Sequence, residues 1–249
     1  MKIAIDFREA AEQKHAGKGE YVWQLVKAML AEGVSADLVL LTYNWQTVDL
    51  PAGRWTQRKM GGRSLVWQLG VIWWLLFSHS VQVYFSTTSW IVPALVWGVP
   101  VVTTIFDFTP WRYPETHRAK TLFWERLLGR RALQRSSQLL AISEFTKQEA
   151  IDLFGVDGNK ITVTPLAADE SCQPLLLDHP SIETVRDRYR VPDKFILYLG
   201  TLEPRKNVVA LVRAYQQAKP RLGEIKLVLA GARGWLAEQI MAVATDPAV

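Results

Sequence analysis

The first 165 residues alternate between two kinds of apolar pattern, and this restricts the fold more than any other property of the chain. Residues 2–6 and 37–41 are short runs of aliphatic residues of strand length. Between them, Val22, Leu25, Val26 and Met29 are spaced three, one and three apart, the spacing of one helix face. A β-loop-α-β opening is the start of a parallel sheet. Further strands are expected at 56–59, 81–85, 99–106, 138–142 and 160–164, and helices at 65–77, 93–97, 117–135 and 144–153. The expected class is α/β, with an open doubly wound sheet of about six or seven strands over 1–165.

Residues 166–193 break the alternation. Pro174, Pro180 and Pro192 fall there, just after Pro165, and only 181–189 has helical character, so this stretch is expected to be an interdomain linker. A second α/β unit is expected over 194–249: strand from Phe195, helix over 208–218, strand over 225–230, helix from near Trp235. One β-α-β-α unit cannot cover both faces of its own sheet. The chain is therefore expected to be one whole domain and the opening of a second.

Composition narrows the class. With 49% hydrophobic and 21% charged residues the chain is globular. Its one cysteine, Cys172, excludes an intrachain disulfide framework and fits a reducing compartment, so a cytoplasmic location is expected. The start, MKIAIDFREA, has no apolar core or small-residue cleavage site of a leader peptide. The longest apolar stretch, LVWQLGVIWWLLF at 65–77, would form a helix about 20 Å long. The hydrocarbon core of a bilayer is roughly 30 Å thick. The stretch is a buried core helix or, given Trp67, Trp73 and Trp74, one that helps the protein sit at the inner face of a membrane. A net charge of +5 suits an anionic surface or substrate. Basic residues are not interleaved with aromatics and no zinc spacing occurs, so nucleic acid is not an expected partner.

The stretch FILYLGTLEPRKN, residues 195–207, reads as strand, tight turn and helix start. Arg205 and Lys206 stand where that helix begins. Cations there oppose the helix dipole at a cost of roughly 0.3–1 kcal/mol each. A bound phosphate reverses the sign, because backbone N–H groups and both cations then converge on one anion. Gly17 and Gly19 flank Lys18 in the loop before the first helix, where they allow close backbone approach to phosphate, or simply form a turn. The spacing is neither a dinucleotide fingerprint nor a Walker A loop. Asp107 ends a strand, where α/β sheets bind ligands, and could orient an acceptor hydroxyl, serve as base, or cap a turn. Trp111 and Tyr113 could stack on an acceptor or pack internally, and Ser143 is most simply an N-cap. His15 is a lone candidate beside the glycine loop.

Five segments in this order resemble the retaining glycosyltransferases of family 4 (group 1), with the GT-B fold: GKGEYVWQL, VPVVTTIFDFTPWRYPE, AISEFTKQE, LYLGTLEPRKN and LVLAG. The resemblance implies two Rossmann-like domains facing a cleft. It also implies hexosyl transfer from a nucleoside-diphosphate sugar to a saccharide or lipid-linked acceptor in polysaccharide assembly. Donor phosphate would be held by Gly17, Gly19, Arg205 and Lys206, catalysis carried by Asp107, Arg205 and Lys206, and the acceptor met by Lys18, Trp111 and Tyr113. Two fixed cations can stabilise the leaving diphosphate without a metal, and no Asp-x-Asp pair is present to hold one. No cofactor beyond the donor substrate is expected. Three departures stand out: Phe106 where the family usually has His, Ala167 and Ala168 where a glycine is common, and no Glu-x7-Glu motif of the second domain within the chain. The alternatives are a non-catalytic, membrane-associated binding module and a nicotinamide-dependent dehydrogenase.

Overall fold

The computed structural model describes residues 1–13, 17–78, 80–117, 119–169, 171–176 and 178–244. Two compact units emerge, the first ending at Asp169. The first contains β1 (Lys2–Asp6), α1 (Lys18–Ala31), β2 (Asp37–Tyr43), β3 (Trp55–Met60), α2 (Leu65–Ser78), β4 (Val83–Ser86), α3 (Ile91–Leu95), β5 (Val101–Ile105), α4 (Thr109–Arg112), α5 (Ala119–Arg135), β6 (Gln138–Ala141), α6 (Glu144–Phe154) and β7 (Ile161–Val163). The second contains α7 (Pro180–Tyr189), β8 (Phe195–Leu199), α8 (Val208–Leu222), β9 (Lys226–Ala230) and α9 (Ala237–Ala244).

The first unit is a seven-stranded sheet in the order β3-β2-β1-β4-β5-β6-β7, parallel throughout. Successive side chains on a strand face opposite ways, and both faces are covered. Ala4, Val39 and Leu41 turn towards a core shared with α2, α3 and α5. Ile5, Leu38 and Leu40 turn towards a second core with Val22 and Val26 of α1. A third core joins Ile105, Leu139 and Ala141 to Ala150 and Phe154 of α6. The chain winds outward from β1 through β2 to β3, then crosses back to β4 on the other side of β1. The reversal opens a crevice at the carboxyl ends of β1 and β4, the place where open α/β sheets take ligands.

The second unit has β8 and β9 as a parallel pair, packed on α8 and α9 through Leu202, Val208, Val212, Ala237 and Ile240. Ile196, Leu197 and Leu199 of β8 stay exposed, as one β-α-β-α unit requires. Some expected bounds shift. The helix expected over 208–218 continues to Leu222 through Pro220, whose ring costs one hydrogen bond close to the helix end. The helix expected at 93–97 lies at Ile91–Leu95 instead, with Pro93 inside its first turn. The aromatic loop after Asp107 contains the helical turn α4, with Pro110 at its start, where a missing N–H is harmless.

Candidate functional site

At the crevice, β1 ends in a buried ion pair. Arg8 Nε donates to Asp6 Oδ1 at 2.9 Å and Nη2 to Oδ2 at 2.7 Å. The guanidinium lies over the Trp67 ring at 3.9 Å and beside the Tyr43 ring at 5.7 Å. Burial is the largest single influence and lowers the Arg8 pKa, but attraction to Asp6, its hydrogen bond and the nearby Tyr84 and Tyr43 together outweigh it, and the net direction is upward. The loops after β1 and β4 are tied together, since Thr87 Oγ1 donates to the Asp6 carbonyl at 2.7 Å. Gln46 Nε2 donates to the Arg8 carbonyl and to Glu12 Oε1, both at 2.9 Å.

These contacts floor a polar recess of about 310 Å3 whose walls include Arg8, Glu9, Glu12, Gln68, Thr88 and Ser89. Carboxylates, amide and hydroxyls in one concavity offer both acceptors and donors, as a hydroxyl-rich ligand needs. Glu9 is open to solvent yet recessed. The recess pushes its carboxyl pKa up, against the pull of Lys18 and a hydrogen bond with Thr88. Glu125 of α5 is half-buried. Its pKa is raised first by burial and then by Asp107, while Lys18 and a hydrogen bond from Trp90 oppose the shift. Lys18 therefore acts on two carboxyls, Glu9 and Glu125, that sequence reasoning missed.

Of the expected residues, Lys18 and Asp107 share this neighbourhood. Lys18 Nζ lies 5.3 Å from the centre of the Phe106 ring, and Tyr21 meets the same ring edge-on at 5.2 Å. The departure at Phe106 thus supplies an aromatic face to a cation in place of an imidazole. Asp107 Oδ1 accepts from the Thr109 amide at 3.1 Å and from the Thr109 hydroxyl, holding the start of α4. Gly17, at φ 54, is the N-cap of α1, and Gly19 is buried in its first turn. Trp111 packs among Trp90, Phe108 and Phe154 and against Gly129, where a Cβ would stand 2.8 Å from the indole. Tyr113 is exposed. Ser143 caps α6 by accepting from the Thr146 amide at 3.1 Å. His15 lies outside the described residues.

In the second unit the loops after β8 and β9 touch backbone to backbone. A Cβ on Gly231 would stand 2.0 Å from the Gly200 carbonyl oxygen. The two loops continue as a ladder: Leu202 N–H donates to Ala232 O at 2.9 Å and Gly234 N–H to Leu202 O at 3.0 Å. Arg205 and Lys206 follow, on a 3-10 turn over Pro204–Lys206, and Asn207 at φ 52 leads into α8. Both cations are exposed. Arg205 Nη2 donates to Glu203 Oε1 at 2.8 Å. Glu203 offsets part of the cost of placing cations before a helix, a partner that was readable two residues upstream.

Among the described residues, no group of three or more His, Cys, Asp or Glu is placed to hold a metal ion. Among the same residues, no helix is long and apolar enough to cross a membrane.

The chain is similar to known proteins in both sequence and fold. O-antigen chain mannosyltransferase B of Escherichia coli is 32% identical over 138 residues, 54% of this chain and 35% of that protein. The serotype-specific mannosyltransferase WbdA of the same organism is 29% identical over 117 residues, 47% of this chain and 14% of that protein. The chain thus spans about a third or less of the length of these relatives. Anabaena Alr3699/HepE in complex with UDP-glucose superposes with a TM-score of 0.67 at 17% identity, covering 100% of this chain and 68% of that one. WaaG, a glycosyltransferase involved in lipopolysaccharide biosynthesis, does so with a TM-score of 0.63 at 13% identity, covering 98% and 68%. The fold is that of GT-B glycosyltransferases. The model of Glycosyltransferase Family 4 matches residues 16–171, and the chain belongs to that family.

Proposed function

We propose that this chain belongs to a retaining glycosyltransferase that moves a hexosyl group from a nucleoside-diphosphate sugar to a saccharide or lipid-linked acceptor. The work is placed in the cytoplasm, with peripheral contact at the inner face of the membrane. The observation that carries the reading is the pair Arg205 and Lys206, exposed on the turn that leads from β8 into α8. When the glycosidic bond to the donor breaks, negative charge grows on the leaving β-phosphate. Fixed cations at that place stabilise the transition state more than the ground state, which is what accelerates the step. The acceptor hydroxyl attacks the same face of the sugar that the diphosphate leaves, giving retention without a protein nucleophile, and no metal is invoked.

On the acceptor side, the recess by Glu9 and the neighbouring Lys18, Glu125 and Asp107 supply hydrogen-bonding partners for sugar hydroxyls. Gly17 and Gly19 permit close approach of the α1 backbone to phosphate. Trp111 and Tyr113 remain candidates for acceptor stacking, although Trp111 is engaged in packing.

The test is transfer of labelled sugar from UDP- and GDP-linked donors to a saccharide acceptor, together with calorimetric titration of UDP and GDP. Expected are diphosphate binding that Arg205→Ala and Lys206→Ala each weaken, and transfer above background. Unchanged affinity in both variants removes the phosphate reading. A second reading, a membrane-associated binding module without turnover, is favoured by the apolar outer face of α2. Binding without any transfer or donor hydrolysis would select it.

A further inference from the structure

Helix α2 is amphipathic the wrong way round for a helix facing water. Leu65–Ser78 carries no charged residue. Its one amide side chain, Gln68, is buried and accepts a hydrogen bond from Ser89 Oγ. The outward side is apolar instead: Val66, Leu69, Trp73 and Phe77, spaced three, four and four apart, are 65%, 48%, 66% and 61% exposed. Trp73 and Phe77 form a tilted ring pair with centroids 5.1 Å apart. A contiguous apolar stripe of this kind on a globular domain marks a surface that something other than water covers.

Two features select the occupant. First, the flanks are cationic. Arg58 of the neighbouring strand β3 lies over the Trp74 ring at 4.5 Å, and Arg63, just before the helix, lies over the exposed Trp45 ring at 4.8 Å. Arginines held on aromatic rings at the rim of an apolar stripe match a surface with anionic headgroups above hydrocarbon. Second, a groove of about 380 Å3 starts at the helix's amino end, at Ser64 and Leu65, and runs to Trp90, Trp124 and Glu125. It shares Gln68, Thr88 and Ser89 with the polar recess at the carboxyl ends of β1 and β4.

We propose that the outer face of α2, with Arg58 and Arg63, is a docking surface for an anionic lipid bilayer, with the helix lying in the plane of the interface. At about 20 Å the helix is too short to cross. It is long enough to sink Leu69, Trp73 and Phe77 to the boundary between headgroups and acyl chains, where aromatic rings are favoured. Docked this way, the groove at Leu65 opens at the membrane surface, and a saccharide carried on a lipid reaches the recess without leaving the bilayer. This deepens the peripheral contact of the proposed function. Its test contains no donor sugar and is decided separately from transfer.

The experiment is sedimentation of the chain with vesicles of phosphatidylglycerol and phosphatidylethanolamine, against vesicles of phosphatidylcholine. Expected is binding to the anionic vesicles that falls as salt is raised, and little binding to phosphatidylcholine. Trp73→Glu combined with Phe77→Glu should weaken partitioning by about tenfold or more. Arg58→Ala and Arg63→Ala should each weaken it by about fivefold, and only on anionic vesicles. Circular dichroism melts confirm that the variants fold, and the arginine variants carry the test if the double glutamate variant does not. Wild-type binding retained by the variants overturns the proposal. So does a chain that ignores every vesicle but forms a dimer that Trp73→Glu dissociates, since a second copy then covers the face.

Discussion

Arg8 grips both oxygens of the Asp6 carboxylate, at 2.9 and 2.7 Å, in the crevice where the sheet of the first unit reverses its winding. The pair holds the last residue of β1 to the loop that carries Glu9 and Glu12, and Thr87 fastens the loop after β4 to the same strand end. The Asp6 side chain is fully buried. Removing Arg8 leaves that carboxylate without its partner, and breaking a buried pair from one side costs about 3–5 kcal/mol. Arg8→Ala should therefore lower the free energy of unfolding by that amount, read as a fall in the urea midpoint at unchanged slope. Asp6→Asn with Arg8→Met should lower it much less, because neither charge is then stranded.

The periodicity of the sequence was enough to place the strands and helices of the first unit within about two residues for most of them. It could not place the crevice, because strand order is a property of long-range pairing. Asp6 was visible as a carboxylate ending an apolar strand, yet nothing local marks β1 as the strand between β2 and β4. Glu125 was less legible still. It stands in a basic helix, WERLLGRR, where an acidic residue reads as an ordinary solvated partner. Its importance comes from α5 bringing it within reach of Lys18 and Asp107, more than a hundred and nearly twenty positions away respectively. The cations at 205 and 206 were legible because a strand, a turn and a helix start are contiguous in sequence.

Gly231 is a backbone requirement of the second unit. A methyl group there meets the Gly200 carbonyl at 2.0 Å, and φ is 152. The neighbouring atom is backbone, so relief requires separating the β8 and β9 loops. Overpacking of this kind costs about 1–3 kcal/mol, occasionally more. Gly231→Ala should lower the melting of this unit and loosen the Leu202–Arg233 ladder, seen as faster hydrogen exchange at the Leu202 and Gly234 amides. Gly61→Ala, with nothing within 4 Å of its Cβ, should stay within about 0.5 kcal/mol of wild type.

Glu203 competes with any anion for Arg205. Its carboxylate already accepts from Arg205 at 2.8 Å, so a bound diphosphate must share or displace it. Arg205→Ala removes a charge-assisted hydrogen bond of about 1.5–3 kcal/mol and should weaken UDP or GDP binding by about tenfold or more. Glu203→Gln has the opposite sign. It removes only a solvent-accessible pair of ~0–1 kcal/mol, so binding should tighten by no more than about fivefold. Calorimetry at two salt concentrations reads both effects. If Glu203→Gln weakens binding instead, Glu203 positions Arg205 for the phosphate and does not compete with it.

The raised pKa of Glu125 gives a stability that depends on pH in an unusual direction for a carboxylate. Burial and Asp107 disfavour its ionised form in the folded state, so the folded chain holds the proton above the ordinary value of 4.5. Between that value and the folded pKa the native state binds more protons than the unfolded one. Stability from this group is complete below 4.5 and is lost as pH rises through the folded pKa. Glu125→Gln keeps an oxygen to accept the hydrogen bond from Trp90 but cannot ionise. The variant should match wild type in acid and become the more stable of the two at neutral pH. If Glu125 also meets the acceptor, the same substitution should lower transfer while raising the melting temperature, the trade expected of a carboxyl kept for chemistry rather than for packing. Urea denaturation across the acidic to neutral range, beside transfer assays at neutral pH, measures both. A variant that is less stable at every pH would mean that Glu125 serves the fold.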